Sequence, residues 1–484
     1  MQARPRLSIR HSAPLALLVL AGTATAAAAP QTLEATAALG FEVVHLPHRE
    51  VMGLVGGAYL FDIGDDWRLG PAVYGAATGH RGGLFVGGAE LRRQWALGGQ
   101  LHLSAGLYLG GGGGAAAPVG GGLMVRPSVT LLGDLAPGMQ AGVSWSQVRF
   151  PSGDIKSNQL GLLLQWRSDF KHYGGAAAGE PATGGPSGLG LDHAALAVGQ
   201  YRLGGGSGRR IGLVGARAEW AGRGPLRLGL EAAAAAQGDA AGYMEILGTA
   251  ATGIDLLPGL NLGLRAAAGL GGGGNVLTQG GMIGKLSGTL AWQFAPGWRA
   301  GVDFGVLRAL QGGLQARQAS AWLGMDLEPA AGSGGRVVRT DWTAVLQHHG
   351  GIARNDGTHR ALDTVGLKLD RYLGESFYVT GQAHSAFAGG AGAYSIGLLG
   401  AGAARSVAPQ WRVGAELLAG AAGGGGVQTG GGALGQALAW AGWTPERSTG
   451  EWRLGAGLRR PLRSGQNTLV AELGWSRRFG VSDR

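Results

Sequence analysis

Eleven histidines, thirty acidic residues and no cysteine set the chemistry open to this 484-residue chain. Without cysteine there is no disulfide, no thiolate nucleophile, no cysteine metal site and no lipid-bearing thiol. The imidazoles are few and scattered. His45 and His48 could meet across one loop, and His348-His349 hold the matching place later in the chain. No carboxylate stands at ligand spacing beside them, so solvated loop imidazoles are expected rather than a metal site. Ser385 follows His384, the residue types that a lipid-modifying enzyme would need, but neighbours in a strand point to opposite faces. Gly110 to Gly114, Gly271 to Gly274 and Gly423 to Gly426 invite a phosphate-loop reading. They lack a following Lys-Ser/Thr and open no helix. Flexible exposed loops are the expectation, with three equivalent loops lining a mouth or folding inward as the other option. No catalytic residue, metal or cofactor is expected, and an enzyme is not.

The glycine runs matter more as a repeat. They recur roughly every 150–160 residues, and such a period must be read before any element. Each is followed by a second glycine cluster (Gly120 to Gly122, Gly280-Gly281, Gly430 to Gly432) and then a turn at a proline: Ala136-Pro137-Gly138, Ala295-Pro296-Gly297, Thr444-Pro445-Glu446. One module is written three times. The expected organisation is a signal peptide at 1–26, repeat 1 at 36–168, a Gly/Pro-rich linker at 169–188, repeat 2 at 189–328, a short linker at 329–335, repeat 3 at 336–479 and a tail at 480–484. Arg4, Arg6 and Arg10, an apolar stretch from Ala13 to Ala21, and Ala24-Thr25-Ala26 carry the signal reading.

Of the formal charge of +10, three arginines lie in that leader, and the remainder are scattered, nowhere forming a run longer than a pair. Nucleic-acid binders cluster their Lys and Arg with aromatics between, so nucleic acid is excluded as a partner. Glycine supplies 99 residues and only 14% are charged. No apolar run long enough for a membrane helix follows the leader. A chain with 45% hydrophobic residues and 14 tryptophans is too apolar for disorder.

The period within each repeat is two. In Trp298 to Val306 the set Trp298, Ala300, Val302, Phe304 and Val306 is apolar, against Arg299, Gly301, Asp303 and Gly305. Such alternation marks a strand with one apolar face. Each repeat divides into eight such segments; in the second they lie near 189–203, 208–221, 224–237, 241–255, 259–270, 280–293, 297–309 and 316–328. Their length suits tilted strands that cross a bilayer. Trp67, Trp95, Trp220, Trp292, Trp298, Trp411, Trp443 and Trp452 all flank the turns after even-numbered strands, as a girdle at one water–lipid boundary does.

The closing segment Glu472-Leu473-Gly474-Trp475-Ser476-Arg477-Arg478-Phe479 resembles the terminal strand of the Gram-negative outer-membrane β-barrel class, with Gly474, Trp475 and Phe479 carrying the likeness. Arg477 and the residues after Phe479 depart from it. The resemblance implies an all-β, antiparallel up-and-down transmembrane barrel in the bacterial outer membrane. Its implied partners are the lipid bilayer, lipopolysaccharide and the outer-membrane assembly machinery. Export-system partners are not identified. A single barrel of about 24 strands, three repeats of eight, is the expected architecture. The alternative is three tandem eight-stranded barrels, since Gln159 to Trp166 also matches the closing pattern and Gly174 to Gly188 reads as a linker. Arg217, Glu219, Arg227, Glu231, Arg265, Lys285, Arg299 and Asp303 fall on the polar face and are expected to line the lumen. The functional expectation is a passive diffusion or export pore, with a neutral polymer such as polysaccharide as its cargo. The alternatives are a non-conducting structural or surface-interaction protein of sealed small barrels and, third, an envelope lipid-modifying enzyme.

Overall fold

The computed structural model describes residues 29–183, 187–204, 208–221, 224–327, 335–446, 448–463 and 465–482. The leader expected at 1–26 and, apart from Gly335, the linker expected at 329–335 lie outside the described residues.

Alternation of side chains produces strands throughout. The first eight are β1 (Gln31–His45), β2 (Val51–Gly64), β3 (Trp67–Thr78), β4 (Phe85–Gly98), β5 (Leu101–Gly113), β6 (Met124–Ala136), β7 (Met139–Arg149) and β8 (Lys156–His172). A two-residue strand, β9 (Pro181–Ala182), follows. The second set is β10 (His193–Leu203), β11 (Arg210–Ala221), β12 (Arg227–Gln237), β13 (Met244–Leu257), β14 (Leu260–Gly272), β15 (Met282–Ala295), β16 (Trp298–Ala309) and β17 (Gln315–Asp326). The third is β18 (Gly335–Ala353), β19 (His359–Tyr372), β20 (Phe377–Ala388), β21 (Ser395–Ala408), β22 (Trp411–Gly423), β23 (Ala433–Trp443), β24 (Gly450–Pro461) and β25 (Thr468–Ser482). The 13 residues of β14 cover about 43 Å, or about 30 Å of depth once tilted, which matches a hydrocarbon core.

The expectation of one barrel of about 24 strands is corrected: the chain closes three times. β1 pairs with β8 from Gln31↔His172 to Glu42↔Gly161. β10 pairs with β17 from His193↔Asp326 to Leu203↔Ala316. β18 pairs with β25 from Val337↔Ser482 to Gly350↔Leu469, and β9 adds to the other side of β18 at Gly335 and Arg336. In hydrocarbon each unpaired backbone group costs several kcal/mol, so a repeat that can satisfy its own first and last strands does so locally. The terminal-strand pattern at Gln159 to Trp166 lies within β8, one of these closing strands.

Each strand presents two faces to two surroundings. In β14, Leu262, Leu264, Ala266 and Ala268 point outward while Arg265 and Ala267 are buried inside. Outward leucines such as Leu160 and Leu417 are 69% and 73% exposed, an arrangement that water does not favour and hydrocarbon does.

The three barrels pack as a ring. β3 of the first lies against β14 and β15 of the second, β12 of the second against β22 and β23 of the third, and β20 of the third against β5 and β4 of the first. The third strand of each barrel therefore meets the fifth strand of the next, a head-to-tail contact that closes after three steps. At the opposite ends of the barrels, Phe61 and Phe170 of the first barrel interleave with Trp342 and Phe479 of the third, with ring centroids 5.3–5.5 Å apart.

Two domain boundaries differ from the sequence expectation. The segment 169–188 is not a free linker. Asp169 to His172 stay in β8, Tyr173 is buried and exchanges backbone hydrogen bonds with Gly480 (2.9 and 2.8 Å), and Ser187 accepts the Ser482 N–H at 2.7 Å. The tail expected from 480 is strand as far as Ser482, because Val337, Val338 and Arg339 supply it with partners.

Candidate functional site

Polar side chains of the inward faces meet at the centre of each barrel. An eight-stranded barrel is just wide enough for such side chains to fill it. In the first, Arg126 forks onto Glu42 through Nε (2.9 Å) and Nη2 (2.8 Å), and Ser146 donates to the same carboxylate. Arg92 pairs with Glu90 at 2.6 Å, and the Tyr74 hydroxyl donates to Glu90 at 3.3 Å. In the second, Arg217 meets Asp303 at 2.6 Å, Lys285 bridges Glu231 and Glu245 at 2.6 Å each, and Arg265 meets Glu219 at 2.5 Å. Tyr201 and Tyr243 donate to Glu245 at 2.7 Å. In the third, Lys368 bridges Glu416 (2.6 Å) and Glu472 (2.8 Å), while Arg453 holds Asp370, Asp341 and Glu451 at 2.7 Å each. Arg459 bonds Gln347, Gln436 and His349, and Gln347 in turn donates to Glu472. A buried charge must be paired or fully hydrogen-bonded, or it costs several kcal/mol; the barrels meet that condition with different residues on different strands, by ion pairs in most cases and, at Arg459, by hydrogen bonds to neutral side chains.

The eight residues expected to line the lumen all lie inside the second barrel. Arg217, Glu219, Glu231, Arg265, Lys285 and Asp303 join in the network just described. Arg299 pairs with Asp326 (3.2 Å) and Arg227 with Asp192 (3.2 Å) nearer the mouth. Burial there pushes the Asp192 carboxyl above the ordinary range, against the pull of Arg227. The eight tryptophans all point outward at the even-turn end, and Trp411, Trp443, Trp452 and Trp475 stand directly opposite one another across β22, β23, β24 and β25. Of the closing-strand residues, Gly474 faces inward beneath Thr343, while Trp475 and Phe479 point outward. His384 is buried inside the third barrel and Ser385 lies on its outside, bonded to Ser395 (3.3 Å). His348 pairs outside with Asp363 (2.7 Å), and His349 is buried with Thr364.

The glycine runs are corrected most. Most of these glycines are buried rather than freely exposed, and the loops fold inward over the mouths, the second of the two options. A Cβ on Gly111 would stand 2.8 Å from the Ala386 carbonyl of the third barrel, one on Gly242 would stand 2.8 Å from the Gly424 nitrogen, and one on Gly272 would stand 2.6 Å from the Gly82 carbonyl carbon. All three seams between barrels are thus built backbone to backbone, and only glycine permits that approach. The Gly82 N–H donates across the first seam to the Gln279 carbonyl. The same loops fold over the barrel mouths. Val119, Val276 and Val427 insert into apolar clusters with Met124, Ile283 and Leu434, which cap the three interiors at that end. An arginine ties each loop down: Arg81 donates to Ala115 and Ala116 (3.0 and 2.9 Å), Arg209 to Gly274 and Asn275 (3.2 and 3.1 Å), and Arg354 to Gly425 (3.4 Å). The threefold glycine repeat was the available signal. What the glycines touch was not written in it.

No family model matches the chain, and no curated protein matches it in sequence. Among solved structures it is similar to the outer membrane protein OpdK of Pseudomonas aeruginosa (10% identity, TM-score 0.23, 93% of this chain and 98% of that one). It is also similar to the FrpB iron transporter of Neisseria meningitidis (10%, 0.28, 93% and 81%) and to the siderophore receptor PirA of Acinetobacter baumannii (10%, 0.28, 93% and 81%). These scores are too low to bear on ring closure or on function.

Proposed function

We propose that the chain is an integral protein of the bacterial outer membrane in which three sealed barrels act as one structural body. The glycine-rich rim would be presented at one membrane surface and the tryptophan-girdled ends at the other. One observation carries the reading: ion-pair layers in which Glu90 of the first barrel, Asp303 of the second and Lys368 of the third are at most 1% exposed cross every barrel, beneath an apolar cap. The outward leucine belt and the ring of tryptophans support the membrane setting. Of the roles weighed from sequence, a structural or surface-interaction protein fits filled interiors better than a diffusion or export pore for a neutral polymer, which needs a continuous wet lumen. Planar-bilayer recording of the purified full chain tests this. No stable conductance steps are expected at high protein load; steps that scale with the amount of protein overturn it.

A further inference from the structure

The three barrels do not end alike on the even-turn side. In the second barrel the mouth is filled by Trp322 against His193 (ring centroids 5.8 Å) and by the Arg299–Asp326 pair. In the third it is filled by Tyr372, Tyr378 and Trp440, with Arg453 stacked 4.5 Å over the indole. Among the described residues no aromatic pair or cluster of this kind plugs the first barrel at this end; Trp166 contributes only to the wall and His102 pairs with Asp134 at the rim. It holds a cavity of about 560 Å³, bounded by the ends of β1, β3, β4, β6, β7 and β8. Its volume falls within the range of small-molecule sites.

The floor of this cavity is a layer of carboxamides. Gln165 donates to Gln94 (3.0 Å) and Gln140 (2.7 Å), Gln94 donates to Gln140 (3.1 Å), and Gln140 donates to Asp134 (2.7 Å). Arg92 beneath anchors Gln165 at 2.9 Å. The layer is fixed in orientation by its own bonds, so it presents preorganised donors and acceptors rather than mobile side chains. Arg68 stands in the wall. Among the described residues its one hydrogen bond is to Gln94 (3.0 Å) and no carboxylate lies within ion-pair distance, although Asp62, its cross-strand neighbour, Asp66 and Glu34 act on it from further off. The Glu34–Arg167 pair guards the rim and is exposed.

We infer that this vestibule is a binding site for a hydroxyl-rich, carboxylate-bearing ligand of disaccharide size. Its hydroxyls would meet the carboxamide floor and its carboxylate would meet Arg68. Carboxamides match hydroxyls because each both donates and accepts, and a guanidinium not already paired is the natural seat for a carboxylate. The inference goes beyond the sealed-barrel reading and does not depend on whether the barrels conduct.

The test is calorimetric titration of the detergent-solubilised full chain with digalacturonate and, separately, with neutral cellobiose. Digalacturonate is expected to bind, and cellobiose more weakly. Arg68→Gln is expected to weaken digalacturonate by about tenfold or more, the size of a lost charge-assisted bond, while Arg68→Lys retains part of it. Gln100→Trp, on the surface turn at the rim, is expected to block both sugars and serves as the second variant should Arg68→Gln fail to fold. Absence of heat with millimolar digalacturonate overturns the proposal. So does binding that is undiminished in Arg68→Gln and Gln100→Trp.

Discussion

Gly392 in the third barrel donates its N–H to the carbonyl of Gly120 in the first, 3.1 Å away. A Cβ at Gly392 would stand 2.6 Å from the Gly122 Cα, so the seam has no room for a side chain. Gly392→Leu is therefore expected to force the two rims apart and to destabilise the protein by about 1–3 kcal/mol, as overpacking does. Thermal unfolding in detergent, with hydrogen exchange across 110–122, checks it. A melting curve and exchange pattern equal to the parent's would mean that the seam is not a packed interface.

Lys368 is the only cation within ion-pair distance of Glu416 and Glu472 among the described residues. Replacing it by Met leaves two carboxylates facing each other in a closed barrel. Removing one partner from a buried ionic group costs about 3–5 kcal/mol. Leu417→Ala, on the outer face of the same barrel, removes a side chain that the fold itself leaves 73% exposed and is expected to cost far less. Urea titrations of the two variants in one detergent give the comparison, and equal midpoints would contradict the account of a sealed interior.

Much of this was legible in the sequence, and the limits have a physical cause. A period of two fixes which residues share a face, so the strands of the second repeat, the outward tryptophans and the inward positions of Arg217 and Asp303 could be read directly. The period is the same, however, whether eight strands close or twenty-four do. Closure depends on pairing Gln31 with His172 and Glu42 with Gly161, contacts between distant segments that leave no local mark beyond the pattern at Gln159 to Trp166. The glycines announced close approach without naming the surface approached. The vestibule was invisible because it is defined by the aromatic groups that plug the even-turn ends of the other two barrels and not of the first.

Trp411, Trp443, Trp452 and Trp475 form a row across four strands, at one depth if the barrel axis stands along the membrane normal. Trp440 is buried inside the same barrel, bonded to Tyr378. Variants that retain one tryptophan at a time, reconstituted with brominated lipids, separate the two groups. The row is expected to be quenched most by bromine near the headgroups, and Trp440 hardly at any depth. Strong quenching of Trp440 would place it against lipid and undo the assignment of faces.

The strap between the first two barrels gives the last prediction. A Gly/Pro-rich segment with few side chains should be cut readily by a broad-specificity protease. Here Gly179 donates to the Val337 carbonyl (2.8 Å), Val337 donates to Glu180 (2.9 Å), and the Tyr173 hydroxyl donates to Thr183 (2.6 Å). β9 then adds to the edge of β18. Proteinase K is therefore expected to leave 174–183 intact in the folded protein. Tyr173→Ala removes the buried ring and the hydroxyl that fix the strap, so cleavage there is expected to appear or rise several-fold without loss of the barrels, whose closing pairs lie elsewhere. Fragment masses read the outcome. Rapid cleavage of the parent within 174–183 would mean that the strap is not bound to the third barrel.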